Sequence, residues 1–349
     1  MKLWSISFAY KLGLAFHAMN NEGADGSNLM QPRQIDVGTT TYDGISGAII
    51  RHHMLEKFVL LCERNSLPVL PLSAGLHPDR GPIGIRAAAK QMSIDPLGKE
   101  SLFSAVRSAL SQCAVIDVGG FLAAWQETSS TAYVAEKDYI DKCCAGLAGK
   151  PNMPDPVKRE SCFDVAWLIS DSPHERTVTE HSAFRDTASM NSRYAQTMRS
   201  NVYCGVARAE LHRIGVDDYW YLQSSGSDGK RIERLAISTE QQTLRQCALI
   251  RAISEFIATP CGAKMAAWAP HVFLTEGAII LSNARTAPFV SPLKVDLKDA
   301  ASEPVQSNPD YRKQMSAASN NKDTWCWEFD DVQSLLNAVE MAETEIRRK

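Results

Sequence analysis

The sequence has no apolar run approaching the roughly 18 residues of a membrane span, so a spanning helix is excluded. Its first dozen residues lack an uninterrupted apolar stretch and a small-residue cleavage site, so no secretory leader is expected. The nine cysteines, at 62, 113, 143, 144, 162, 204, 247, 261 and 326, form no C-x-x-C pair. Zinc sites announce themselves by such spacing, so no metal is expected, and free thiols in a reducing cytoplasm are. A Walker loop and G-x-G-x-x-G are both absent, which leaves nucleotide hydrolysis without a motif and predicts no cofactor. His52-His53 near Glu56 lacks the H-E-x-x-H register. Charge of one sign is missing too: the formal net charge is -3. That excludes a polycation, though not a local basic groove, because net charge averages over faces.

What is present is a long chain of ordinary globular composition. It has 349 residues, 44% hydrophobic and 22% charged, enough for a large core and one to three domains. Residues 297–349 hold seven Lys/Arg against ten Asp/Glu, so this tail carries the whole net charge.

Trp4, Ile6, Phe8, Tyr10 and Leu12 alternate, predicting a half-buried strand over 3–12. A polar stretch over about 17–42 is too long for a passive connector. Ile45, Ala48, Ile49, His52, Leu55, Val59 and Cys62 then recur at helical spacing, predicting a helix over about 46–64 with Asp43 near its N-cap. On this stripe His52 reads as a core histidine. Asp25, Asp36 and Asp43 read as solvated loop carboxylates rather than catalytic acids or metal ligands.

Residues 112–122 (QCAVIDVGGFL) read as a strand, as do Phe163–Ile169, 202–211 and 277–281. Helices are expected over 240–257, ended by Thr259-Pro260, and over 331–347. Strand 3–12, helix 46–64, strands 112–122 and 202–211, helix 240–257 and strand 277–281 spell βαββαβ. That is an α+β chain of ferredoxin-like or RNA-recognition-motif order, with long insertions.

The chemically suggestive signal is arginine. Arg185, Arg193, Arg199, Arg208 and Arg213 face only Asp186 and Glu210 across 185–213, interleaved with Phe184, Tyr194 and Tyr203. Guanidinium forks suit phosphates and stack on bases, although a solvated surface gives the same composition. Gln31, Arg33 and Gln34 form a second polar group, and Gly44, Ser46 and Gly47 lead into a helix N-terminus that offers free N–H groups.

These residues carry a family resemblance. The run from Thr39 to His52, with Ser46-Gly47 and Arg51-His52, resembles the P-x-x-S-G-x-x-x-R/K-H helix entry of repeat-associated RAMP proteins of CRISPR systems. It is most similar to the DevR/Csa-type backbone subunit of the type I Cascade complex. Collinear patches agree: Val118–Leu122 with D-x-x-G-F-L, Glu180–Asp186 with E-x-H-S-R-x-D, Tyr203–Gly215 with the palm strand, and Thr259–Lys264 followed by Pro270 with the thumb. The segment from Asn20 to Asn28 and the acidic tail have no counterpart.

The resemblance implies a hand. The palm is residues 1–72, 201–257 and 276–296, the fingers are 73–200, the thumb is 258–275, and an acidic extension with a helix covers 297–349. It implies a non-enzymatic subunit that polymerises with copies of itself along a guide crRNA, beside other Cascade subunits, and presents bases to target DNA, with no membrane involved. The RNA-binding residues it implies are Gln31, Arg33, Gln34, Ser46, Arg51, His181, Arg185, Arg193, Arg199, Gly262, Ala263 and Lys264. Two alternatives stay open: a metal-dependent RNase of the type III backbone kind, with Asp25 or Asp36 at the loop position, and a ferredoxin-like regulatory or structural protein without nucleic acid.

Overall fold

The computed structural model describes residues 4–348 except 20, 25–28, 38–39, 94–98, 124–156, 174–175, 184–191, 223, 226–229, 232, 263–268, 284–285, 295–304 and 320–321. It separates into two compact units: residues 1–54, 164–209 and 253–349 form the first, and 55–163 with 210–252 the second.

The first unit is built on one large sheet. Its main strands are β1 (Ser5–His17), β2 (Gln34–Val37), β3 (Thr40–Ile45), β4 (Leu168–Pro173), β5 (Arg176–Ala183), β6 (Ser192–Ala209), β7 (His271–Ser282) and β8 (Thr324–Phe329). They lie in the order β8-β7-β1-β6-β4-β3-β2, with β5 beside β6, and every one of these pairings is antiparallel.

Strand β1 is central, and the expected half-buried strand is buried on both faces from Ser5 to Leu14. Ile6, Phe8, Tyr10 and Leu12 form its apolar side. The other side carries small or polar residues because the C-terminal segment closes over it. Ala9 packs with Ala278, Ile280, Ala287, Tyr311 and Met315. Ser7 donates to the Ala287 carbonyl, the Ala287 N–H donates to the Ser5 hydroxyl, and Lys11 bonds Ser307. Alternation survives as a change of chemistry between two covered faces rather than as core against water.

Gly205 explains itself in this sheet. A Cβ there would lie 2.3 Å from Leu168 Cδ2 and 2.7 Å from the Tyr10 ring. The C-terminal residues are sheet as well as helix: β8 extends the edge at β7, and helix Val332–Arg347 follows under an Asp331/Ser334 capping box.

Helix α1 (Gly47–Arg64) matches the expected span, but its buried stripe is rotated. Ile50, Met54, Leu55, Phe58, Val59, Leu61 and Cys62 are buried, Ile49 is half-buried, and Ala48 and His52 are exposed. His52 is therefore not a core histidine. Helix entry is fixed by Ser46, whose hydroxyl accepts the Ile49 N–H at 3.4 Å, whereas Asp43 belongs to β3.

The expected strand 112–122 is corrected. Helix α2 (Arg80–Gln91) precedes α3 (Lys99–Gln112) and α4 (Ala114–Gly119), and only Phe121–Ala123 is extended. Every residue from Cys113 to Gly120 is buried, so the segment keeps no polar face to mark a helical period, and its β-branched residues read as strand. In this second unit Asp117 is the hub of a buried charge network. Its carboxylate meets Arg159 at 2.5 Å and Arg245 at 2.8 Å, and accepts the Gly215 N–H at 2.9 and 3.0 Å. Helix α5 (Thr239–Ala258) carries Arg245.

Candidate nucleic-acid interface

The end of β1 ties together three segments of the first unit. The N–H of Met19 points at His17 Nδ1 at 3.5 Å, and His17 Nε2 lies 2.9 Å from the Tyr203 hydroxyl. Tyr203 in turn hydrogen-bonds Asp43, whose carboxylate meets Arg199 at 3.5 Å. One set of protons satisfies this chain. His17 accepts at Nδ1 and donates from Nε2 to the Tyr203 oxygen, and Tyr203 donates to the Asp43 carboxylate. Burial, helped by the Arg199 charge, brings the His17 pKa down to about 3, so the ring stays neutral. Burial raises the Tyr203 hydroxyl, which stays protonated. The β3 backbone is pinned beside this network by the Asp43 N–H donating to Ser170 at 3.0 Å.

Gly262 joins from the opposite direction. A Cβ on it would lie 2.9 Å from the Met19 carbonyl oxygen. The root of the segment after helix α5 is thus seated on the start of the loop after β1.

Arg33 and Gln34 stand at the rim of this region. The Arg33 guanidinium lies over the Trp167 ring, 5.2 Å from its centroid, and its carbonyl accepts the Gly44 N–H. Gln34 is exposed on β2, opposite Asp43 in register. Asp36 is exposed as expected and accepts a bond from Thr41 at 2.8 Å.

The other expected site residues divide. Arg51 is half-buried on α1 and Ser46 is buried as the helix cap. Gln31 lies on strand Leu29–Pro32, and His181 and Arg193 lie on β5 and β6, opposite Tyr194 and Ser182. For these three only the backbone is described. Arg185, Ala263 and Lys264 lie outside the described residues, as does Asp25.

Two readings are corrected. Arg199, expected on the RNA-facing surface, has a fully buried side chain paired with Asp43, because β6 turns it inward opposite His17. Asp43 is accordingly not a solvated loop carboxylate. The local excess of arginine shrinks further, since Arg208 pairs with Asp164 at 2.7 Å and Arg213 with Glu210 at 2.8 Å. Sequence reasoning passed over His17 and Trp167. Their residue types gave a faint signal, but His17 meets Tyr203 186 positions away and Trp167 meets Arg33 from another segment of the chain.

The sequence model of a family described as "CRISPR-associated negative auto-regulator DevR/Csa2" matches residues 8–303. The chain belongs to this DevR/Csa2 family. The match takes in β1 from Phe8 onward, the helix entry at Ser46-Gly47, Tyr203 and Gly262, and stops before β8. The DevR/Csa2 fold of this chain is similar to two solved chains. One is titled "CRISPR RNA-guided surveillance complex, pre-nicking", with 11% identity, TM-score 0.47, and 98% of this chain and 100% of that one covered. The other is titled "CRISPR RNA-guided surveillance complex", with 8% identity, TM-score 0.43, and 98% and 99% covered. Likenesses this distant carry no residue-level argument. No curated protein sequence matches the chain. No described helix is long and apolar enough to cross a membrane.

Proposed function

We propose that this DevR/Csa2 chain is the guide-RNA-binding backbone subunit of a type I effector complex. It grips the backbone of crRNA, assembles with copies of itself along the spacer, and leaves bases to pair with target DNA. Other complex subunits complete the assembly, which is cytoplasmic, and the chain itself catalyses no reaction. Such a division suits the chemistry: phosphate contacts hold and orient the strand, while base pairing supplies sequence.

The observation that carries this reading is the seating of Gly262 on Met19. It brings the root of the thumb-like segment to the chain just after β1, which leads on to Gln31, Arg33 and Gln34, two stretches more than 200 residues apart in sequence. The His17–Tyr203–Asp43 chain anchors both roots to the sheet. We also read the order β7-β1-β6-β4 as a ferredoxin-like palm, with α1 crossing from β1 to β4 and α5 from β6 to β7.

The test is binding of the purified chain to unstructured single-stranded RNA over a salt series. The log–log slope is expected to be steep, about 0.7 per phosphate contact, and nearly independent of sequence. A slope near zero, or strong discrimination among sequences of equal length, overturns the reading. Cleavage of a guide-complementary RNA with magnesium would replace it with the type III nuclease alternative.

A further inference from the structure

Two β-bulges lie at one end of the β1–β7 pair, and each ejects a phenylalanine. Along β1 and β6 the register passes from Leu14 opposite Asn201 to His17 opposite Arg199, which leaves one extra residue on β1. Phe16 occupies that bulge with φ 55, a conformation sparsely populated outside glycine, and its N–H donates to the Ser200 hydroxyl at 3.0 Å. Along β1 and β7 the register passes from Gly13 opposite Leu274 to Leu14 opposite Val272, so Phe273 is the extra residue on β7. Bulges re-aim side chains, and both of these aim an aromatic ring at solvent. Phe16 is 56% exposed and Phe273 60%.

The rings are held in place. The Phe273 ring lies across Gly13, where a Cβ would meet it at 2.5 Å. Phe16 meets the exposed His271 ring edge-on, with centroids 6.4 Å apart. Both faces of β1 are covered along Ser5–Leu14, so this end is where the strand pair meets solvent.

We propose that Phe16 and Phe273 form a stacking platform for the bases of single-stranded RNA. The inference rests on the RNA-binding reading above and names residues that reading does not use. Continuity favours RNA as the occupant. β1 ends at His17, just before Met19 and upstream of Gln31, Arg33 and Gln34, while β7 begins at His271, downstream of Gly262. Stacking is also sequence-tolerant, because every base presents a π-face. A second copy of the chain would need a larger surface: a standard protein interface engages about 20–30 residues a side, whereas this end exposes Phe16, His271, Val272 and Phe273.

The experiment uses the full chain with Phe16→Leu, Phe273→Leu, the double substitution, and Phe16→Tyr as the aromatic rescue. Affinity is measured for oligouridylate and for an abasic oligoribonucleotide of equal length. Each Leu substitution is expected to weaken oligouridylate binding roughly 5- to 150-fold, the range of one lost base stack. Binding of the abasic strand is expected to stay unchanged, and Phe16→Tyr to restore wild-type affinity. Unchanged oligouridylate binding overturns the platform, and so does equal weakening on both strands. Altered self-association without RNA, at constant RNA affinity, assigns the patch to a protein contact instead. If the wild-type chain binds neither strand, the RNA-binding reading itself fails. That result is distinct from normal wild-type binding with indifferent variants, which rejects the platform alone.

Discussion

Gly262 rests on Met19 with no room for a side chain: a Cβ would lie 2.9 Å from the Met19 carbonyl oxygen and 3.2 Å from its Cα. The clash is with backbone, so it cannot be relieved by a rotamer change. Gly262→Ala is expected to cost about 1–3 kcal/mol, as overpacking does, and to weaken RNA binding together with stability. Urea denaturation and RNA titration of the same preparation check this. Wild-type values in both would show that the two roots are not coupled there.

His17 predicts an acid limb in the stability curve. Its pKa is about 3 in the folded chain, against an ordinary 6.5. As pH falls through 6.5 the unfolded chain takes up the proton first. The stabilisation is therefore complete above 6.5 and is lost between 6.5 and 3, at a slope of up to about 1.4 kcal/mol per pH unit. His17→Gln is expected to be less stable at pH 7 and to show a flatter acid limb. Denaturation midpoints at pH 7, 6 and 5 measure it, and an identical slope in the variant would contradict the buried neutral ring.

Asp117 is the single carboxylate shared by two buried guanidinium groups in the second unit. Removing it takes the carboxylate from Arg245 and leaves Arg159 with Asp218 at 2.9 Å. Asp117→Ala is expected to cost about 3–5 kcal/mol. A loss under 1 kcal/mol in equilibrium unfolding would mean that Asp218 and the remaining carbonyl acceptors suffice.

On helix α1 the cost of truncation should follow the observed stripe. Ile50 is fully buried, so Ile50→Ala is expected to cost about 2–5 kcal/mol. His52 is exposed, and His52→Ala should change stability by no more than about 0.5 kcal/mol. Thermal melts of the two variants decide it, and equal effects would restore the alternative phase.

The span of α1 was legible because a Ser46-Gly47 entry and a long apolar run bracket it. Its phase was not, since Ile49-Ile50 and Met54-Leu55 give two adjacent candidate stripes and only tertiary packing selects one. The strands β1 and β7 were legible in their alternating or continuous apolar cores, but their ends were missed. The ends are bulged, and a bulge has no signature in Ala15-Phe16 or Val272-Phe273. Residues 112–122 misled because full burial erased the polar face that separates helix from strand. Arg199 misled for a related reason: strand parity decides whether an arginine faces water, and on β6 Arg199 shares the parity of the buried Tyr203. The edge strand Thr324–Phe329 joins a partner more than 40 residues upstream, a pairing that its own residues do not encode.

The backbone reading is tested most directly by counting protein copies on RNA. Light scattering coupled to size exclusion, on guide RNAs of one length and of twice that length, reads the protein mass per RNA. Assembly along the spacer predicts several copies on the shorter strand and about double that number on the longer. One copy per RNA whatever its length, or a mass unchanged from the RNA-free chain, would contradict it.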